Sequence, residues 1–272
     1  PIARPRITPT FSPTCRCEQQ TAQIAFRLRQ PDRLTLVIED AQGRVVRTLL
    51  RNASFDRGSH EFGWDGRDDR GQVVPEGSYR PRVELDKLDR AIEFPRVIRV
   101  DTTPARIEIT RVTPRVISPD GDGRADAVTI RYEANEPVQA ILLVNGRQEV
   151  ETALRRNGAI VWSPRGRKRG SYRLSVATID AAGNRSRAAG TFDVRIRYVD
   201  IAAKAIRARA RAGFAVRVST DAQRYLWRLG RRKGSARVRI LRLRAPATPG
   251  RYSLVVEVSG RRDTALVLVR RR

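Results

Sequence analysis

Methionine is absent from the 272 residues, and lysine, cysteine and histidine are scarce. The only cysteines are Cys15 and Cys17, and the only histidine is His60. Such a set falls short of the four ligands of a structural zinc site, so we expect none. No serine or cysteine stands in a Gly-x-Ser-x-Gly elbow, and no phosphate-binding or dinucleotide-binding glycine string is present. With one histidine and no such motif, we expect no enzyme and no catalytic residue. No run of roughly 18 apolar residues occurs, so nothing in the sequence reads as a membrane-spanning helix. A chain that starts at Pro1 and has no methionine is expected to follow a further segment, and a signal peptide or a membrane or wall anchor upstream of Pro1 fits that place.

Basic charge is plentiful instead. The formal net charge is +26, and with four lysines among 55 basic residues, 51 are arginines. A GC-rich genome raises arginine usage, but it acts on the whole gene. The charge here is uneven. Residues 1–104 carry 18 basic and 15 acidic side chains, residues 105–199 carry 17 and 10, and residues 200–272 carry 20 and 4. The net is therefore +3, +7 and +16, so most of the excess lies in the last third. A field of that size attracts polyanions.

A short string marks the organisation. Gly77-Ser78-Tyr79, Gly170-Ser171-Tyr172 and Gly250-Arg251-Tyr252 each open an alternating apolar run, with the tyrosines 93 and 80 residues apart. Those spacings are the size of one small β-sandwich. Period-2 runs broken by Gly, Asn, Asp and Pro fill the rest, among them AQIAFRLR at 22–29, VTIRYEA at 128–134, PVQAILLV at 137–144 and ARVRILRLR at 236–244. The Ala-rich stretch 201–212 has Arg207, Arg209 and Arg211 at every second position, which lines one face of a strand, so strand is preferred to helix. We expect an all-β chain, a tandem array of three Ig-like β-sandwich domains at 1–104, 105–199 and 200–272. Each holds one tryptophan, Trp64, Trp162 or Trp227, as a core filler. An offset of 106 aligns the first two modules without gaps, placing Phe11-Ser12-Pro13 on Ile117-Ser118-Pro119, Ile24 on Ile130, Phe26 on Tyr132 and Pro31 on Pro137.

The strings FSP…WDGRDDRGQVVPEGSYRPRVEL in the first module and ISPDGDGRADAVTIRYEANEPVQAILLV in the second resemble the Ig-like domain of the flagellar hook-assembly protein, the FlgD type, which recurs in bacterial secreted and surface proteins. The matching positions are Trp64-Asp65-Gly66, Asp68, Gly71, Pro75, Gly77 and Tyr79, then Ser118-Pro119-Asp120-Gly121-Asp122-Gly123 and Asp126. The resemblance covers about 195 residues and is thinnest in the third module. It implies a β-sandwich and an extracytoplasmic scaffold, and supplies no ligand.

Three groups of residues are candidates for function. Asp120, Asp122 and Asp126 place hard oxygens on a glycine-rich loop and are a candidate calcium site; the alternative is an Asp/Gly turn whose carboxylates hold backbone amides. Under the 106 offset Cys15 and Cys17 fall on Gly121 and Gly123. They are either a local disulfide or free thiols. Arg207, Arg209, Arg211, Arg237, Arg239, Arg242 and Arg244 form one-sided rows, with a β-bulge expected at Ile240-Leu241 to correct their parity. If these strands share one sheet, they make one guanidinium surface suited to phosphate or carboxylate oxygens. The expected function is a non-catalytic extracytoplasmic scaffold, secreted or surface-located, whose third domain docks on an anionic cell-wall polymer, an acidic polysaccharide or a lipid surface. The alternatives are a basic nucleic-acid-binding protein and an accessory region of a larger cell-surface or flagellar protein.

Overall fold

Alternating residues decide the architecture, because each short strand can bury only one of its two faces. The computed structural model describes residues 2–121 and 123–271. Among them there is no α-helix, only one 3-10 turn at Glu18–Gln20. Three hydrophobic cores form, drawn from residues 11–100, 105–198 and 199–269, and no buried residue belongs to two of them.

The first module holds β1 (Ile2–Ile7), β2 (Thr10–Phe11), β3 (Ala22–Leu28), β4 (Asp32–Glu39), β5 (Val45–Phe55), β6 (Gly58–Trp64), β7 (Gly77–Leu85), β8 (Arg90–Glu93) and β9 (Ile98–Val100). They pair as a sheet β1-β3-β6 facing a sheet β2-β9-β7-β4-β5, with β8 on β7. Trp64, fully buried, meets Phe11 in a tilted contact and Tyr79 edge-on, at centroid distances of 5.5 and 5.2 Å.

The second module holds β10 (Ile107–Thr113), β11 (Val116–Ile117), β12 (Val128–Val144), β13 (Arg147–Glu151), β14 (Arg155–Trp162), β15 (Gly170–Asp180) and β16 (Ala189–Ile196). The two runs read from sequence at 128–134 and 137–144 are one strand, β12, of 17 residues. Its first half pairs with β10 and its second half with β15, so it passes from one layer to the other. The 106 offset places β12 over residues 22–38, where the first module has β3 and β4 with a break between them. The two tryptophans obey the same frame: Trp64 faces Ala22 across β6 and β3, and Trp162 faces Val128 across β14 and β12.

The third module holds β17 (Asp200–Ile201), β18 (Ala205–Arg209), β19 (Gly213–Ser219), β20 (Tyr225–Leu229), β21 (Arg232–Ala236), β22 (Ile240–Arg244), β23 (Gly250–Val258) and β24 (Arg261–Arg270). They form a sheet β17-β19-β22 and a sheet β18-β24-β23-β20-β21. Trp227 differs from the other two tryptophans. It is half-buried and leans on Gly234 of the edge strand β21, where a Cβ would come within 2.8 Å of the ring.

The repeated Gly-x-Tyr string has a structural cause. Each tyrosine hydroxyl donates to the carbonyl four residues upstream: Tyr79 to Pro75 at 2.7 Å, Tyr172 to Lys168 at 2.9 Å and Tyr252 to Thr248 at 2.9 Å. The glycine two residues before each tyrosine has φ near +155° (+157°, +158° and +154°), a conformation side chains rarely allow. A strand near the start of each module also lies parallel to its last strand: β2 with β9, β11 with β16 and β18 with β24.

Candidate anion-binding surfaces

The arginine rows do not share a sheet. Arg207 and Arg209 lie on β18 in the five-stranded sheet, whereas Arg242 and Arg244 lie on β22 in the three-stranded one. The core fills the space between the two sheets, so these rows point away from each other. The single surface expected from sequence is therefore two. On the first, Arg207 and Arg251 flank Leu268 in register, and Arg209 faces Arg270. On the second, exposed Arg217 joins Arg242 and Arg244. The run ARVRILRLR is not one strand. Residues 237–239 cross from β21 in one sheet to β22 in the other, so the parity shift marks a crossover, not a bulge, and Arg237 and Arg239 sit in that crossing. Arg211 stands in the turn after β18 with φ +63°.

A further basic region forms where the second and third modules meet, at positions that share no local sequence pattern. Asp263 is buried and takes hydrogen bonds from Lys204, from the Ile201 amide at 2.6 Å and from Arg169 of the second module at 2.9 Å. Burial alone would raise its pKa, but these donors outweigh it and hold the carboxyl at about 2. Further contacts bind the joint. Ser118 donates to Asp221, Arg261 donates to the Gly166 carbonyl at 3.0 Å, and its guanidinium lies 5.1 Å from the centre of the Tyr198 ring. Beside these contacts a cleft of about 350 Å³ opens, lined by Arg169, Ser171, Arg195, Arg197 and Lys204 against one carboxylate, Asp200. A neighbouring hollow of about 540 Å³ adds Lys168, Arg261 and Arg262.

The Asp/Gly loop serves its own backbone. Both oxygens of Asp126 accept backbone amides, Gly121 and Gly123, each at 2.8 Å. Asp120 accepts from Ser259 of the third module at 3.3 Å, and Asp122 lies outside the described residues. No group of three or more acidic, cysteine or histidine side chains fit for a metal ion occurs among the described residues.

Cys15 and Cys17 are joined in a disulfide, with Arg16 between them at φ +54°. The bridge lies against the second module: at Gly183, φ +90°, a Cβ would overlap the Cys17 Sγ. Asn184, next in that turn, donates to the Asp101 carbonyl at 2.9 Å across the same joint. The connecting residues are also tied. Glu76 accepts from the Thr102 amide and from both the Thr102 and Thr103 hydroxyls at 2.7–2.8 Å, which lowers its pKa. Burial, with Asp101 and Asp180 nearby, raises that of Glu136 at this joint.

Comparison with known proteins finds a family match within the first module. Residues 12–89 match the FlgD Ig-like domain. The basal-body rod modification protein FlgD of Salmonella typhimurium is 45% identical over 60 residues, which is 22% of this chain and 25% of that protein, and FlgD of Salmonella typhi matches to the same extent. The chain thus spans about a quarter of the length of the curated relatives it matches. Among solved structures, the fibronectin(III)-like modules of Clostridium thermocellum CbhA superpose with a TM-score of 0.35 at 13% identity, over 72% of this chain and 92% of theirs. A bacterial ice-binding adhesin superposes with a TM-score of 0.31 at 15% identity, over 98% of this chain and 97% of its own. By sequence, the likeness to the FlgD Ig-like domain lies within the first module, over residues 12–89.

Proposed function

We propose that this chain is a non-catalytic extracytoplasmic scaffold whose third module binds an anionic polymer. The carrying observation is the net charge of +16 on residues 200–272, displayed on both outer faces of one sandwich. That placement favours a flexible polymer over a flat lipid surface. A bilayer would meet one face and leave the other in water, whereas a polymer can follow arginines on both. Guanidinium groups match phosphate and carboxylate oxygens by their forked donors. The Cys15–Cys17 disulfide supports an oxidising compartment, which favours a wall polymer over nucleic acid. No helix among the described residues is long and apolar enough to cross a membrane.

The test uses the full chain with long-chain polyphosphate, and with vesicles containing phosphatidylglycerol at equal total charge. Tighter binding to the soluble polymer, weakening steeply as salt rises, is the expected result. Absence of polymer binding at low salt, or tighter binding to the vesicles, would overturn the reading.

A further inference from the structure

We propose that the cleft between the second and third modules is a seat for a phosphate group. This rests on the reading of the chain as a polyanion binder and names the place where one group of the polymer is held. Four cations line the cleft, Arg169, Arg195, Arg197 and Lys204, with Asp200 as the one carboxylate. They arrive from two modules. Arg195 and Arg197 stand at the end of β16 and just beyond it, and Lys204 precedes β18. Asp263 holds Arg169 and Lys204 from beneath, so two of the four are already oriented before a ligand arrives.

The other two are not neutralised. Among the described residues, neither Arg195 nor Arg197 has an acidic partner within ion-pairing distance, and Arg197 is half-buried. A guanidinium partly removed from water without a counter-charge is costly, and an incoming anion removes that cost. The exposed hydroxyl of Ser171, paired in register with Arg195 across β15 and β16, offers a neutral donor to the same ligand. Cations converging from two sides select for shape. A carboxylate presents two oxygens in one plane and pairs well with a single fork. A tetrahedral phosphate presents oxygens in several directions and can be held by both modules together. Bound there, it would also tie the two modules to each other.

The test measures binding of linear tripolyphosphate, long-chain polyphosphate and phosphatidylglycerol vesicles to the full chain. Arg195→Gln with Arg197→Gln is compared with Arg207→Gln with Arg209→Gln, a pair that removes the same charge from the sheet face. Loss of charge-assisted hydrogen bonds predicts that the cleft pair weakens tripolyphosphate by about tenfold or more, and the sheet pair by less than about threefold. Both pairs are on the surface, and unchanged melting temperatures will show that the variants fold. Equal effects from the two pairs would mean a diffuse field and would overturn the cleft while leaving the polymer reading intact. So would binding of the long polymer without tripolyphosphate, whereas binding of vesicles alone would overturn the polymer reading as well. No binding of any probe overturns both.

Discussion

Arg169 and Asp263 belong to different modules and are joined by an ion pair of 2.9 Å, with the carboxylate buried and the guanidinium largely in solvent. Asp263 has a folded pKa of about 2 against an ordinary 3.8, so its ionised form stabilises the folded chain at neutral pH. That contribution, about 2 kcal/mol, falls away as the pH drops from about 4 towards 2. Asp263→Asn should lower the melting temperature at pH 7 and flatten its dependence on pH over that range. A variant that melts like the parent at neutral pH would show that the carboxylate does not hold the joint.

The three tyrosine corners predict a graded series. Tyr79 is buried, while Tyr172 and Tyr252 are partly open. Replacing each by phenylalanine removes one hydrogen bond and should cost about 1 kcal/mol, most at Tyr79, whose ring is buried and whose hydrogen bond is half-shielded where the other two are exposed. Chemical denaturation of the three variants measures the order. A cost at Tyr252 above that at Tyr79 would contradict it.

At the joint of the first and second modules, Gly183→Ala should act more strongly than loss of the bridge. The added methyl meets Cys17 in a backbone conformation that disfavours a side chain, and together these should cost about 1–3 kcal/mol. The Cys15–Cys17 ring closes so few residues that removing it should cost only about 1–2 kcal/mol. Replacing both cysteines by serine should therefore lower the melting temperature less than Gly183→Ala does, and the opposite order would contradict this account.

The Asp/Gly loop gives a fourth test. Asp126 already engages two amides, so Asp126→Ala should loosen the loop and raise amide exchange at Gly121 and Gly123. Millimolar calcium should leave the parent's melting temperature unchanged. A clear rise would show that calcium binds, with Asp120, Asp122 and Asp126 as its candidate ligands.

Local patterns were readable in the chain, and pairings between distant segments were not. Gly77, Gly170 and Gly250 each precede a tyrosine by two residues, and the structure gives all three the same backbone conformation and hydrogen bond. The alternation in 128–134 and 137–144 was visible, but whether two runs are one bent strand depends on what each half pairs with. The arginine rows failed for the same reason. Periodicity places Arg207 and Arg242 on strand faces, yet only the pairing of β18 with β24 and of β22 with β19 reveals that those faces are back to back. Arg195, Arg197 and Lys204 carried no local signal, since isolated basic residues become a cluster only when two modules meet.

The parallel pairing near the beginning and end of each module has a mechanical consequence. A tensile load on the two ends of such a module pulls the paired strands in opposite directions along their length, so the bridging hydrogen bonds are sheared together and cannot open one at a time. The third module has five such residue pairs between β18 and β24, while β2 with β9 and β11 with β16 have two each. Stretched along its length, the chain should yield first in its leading modules and last in the one richest in arginine.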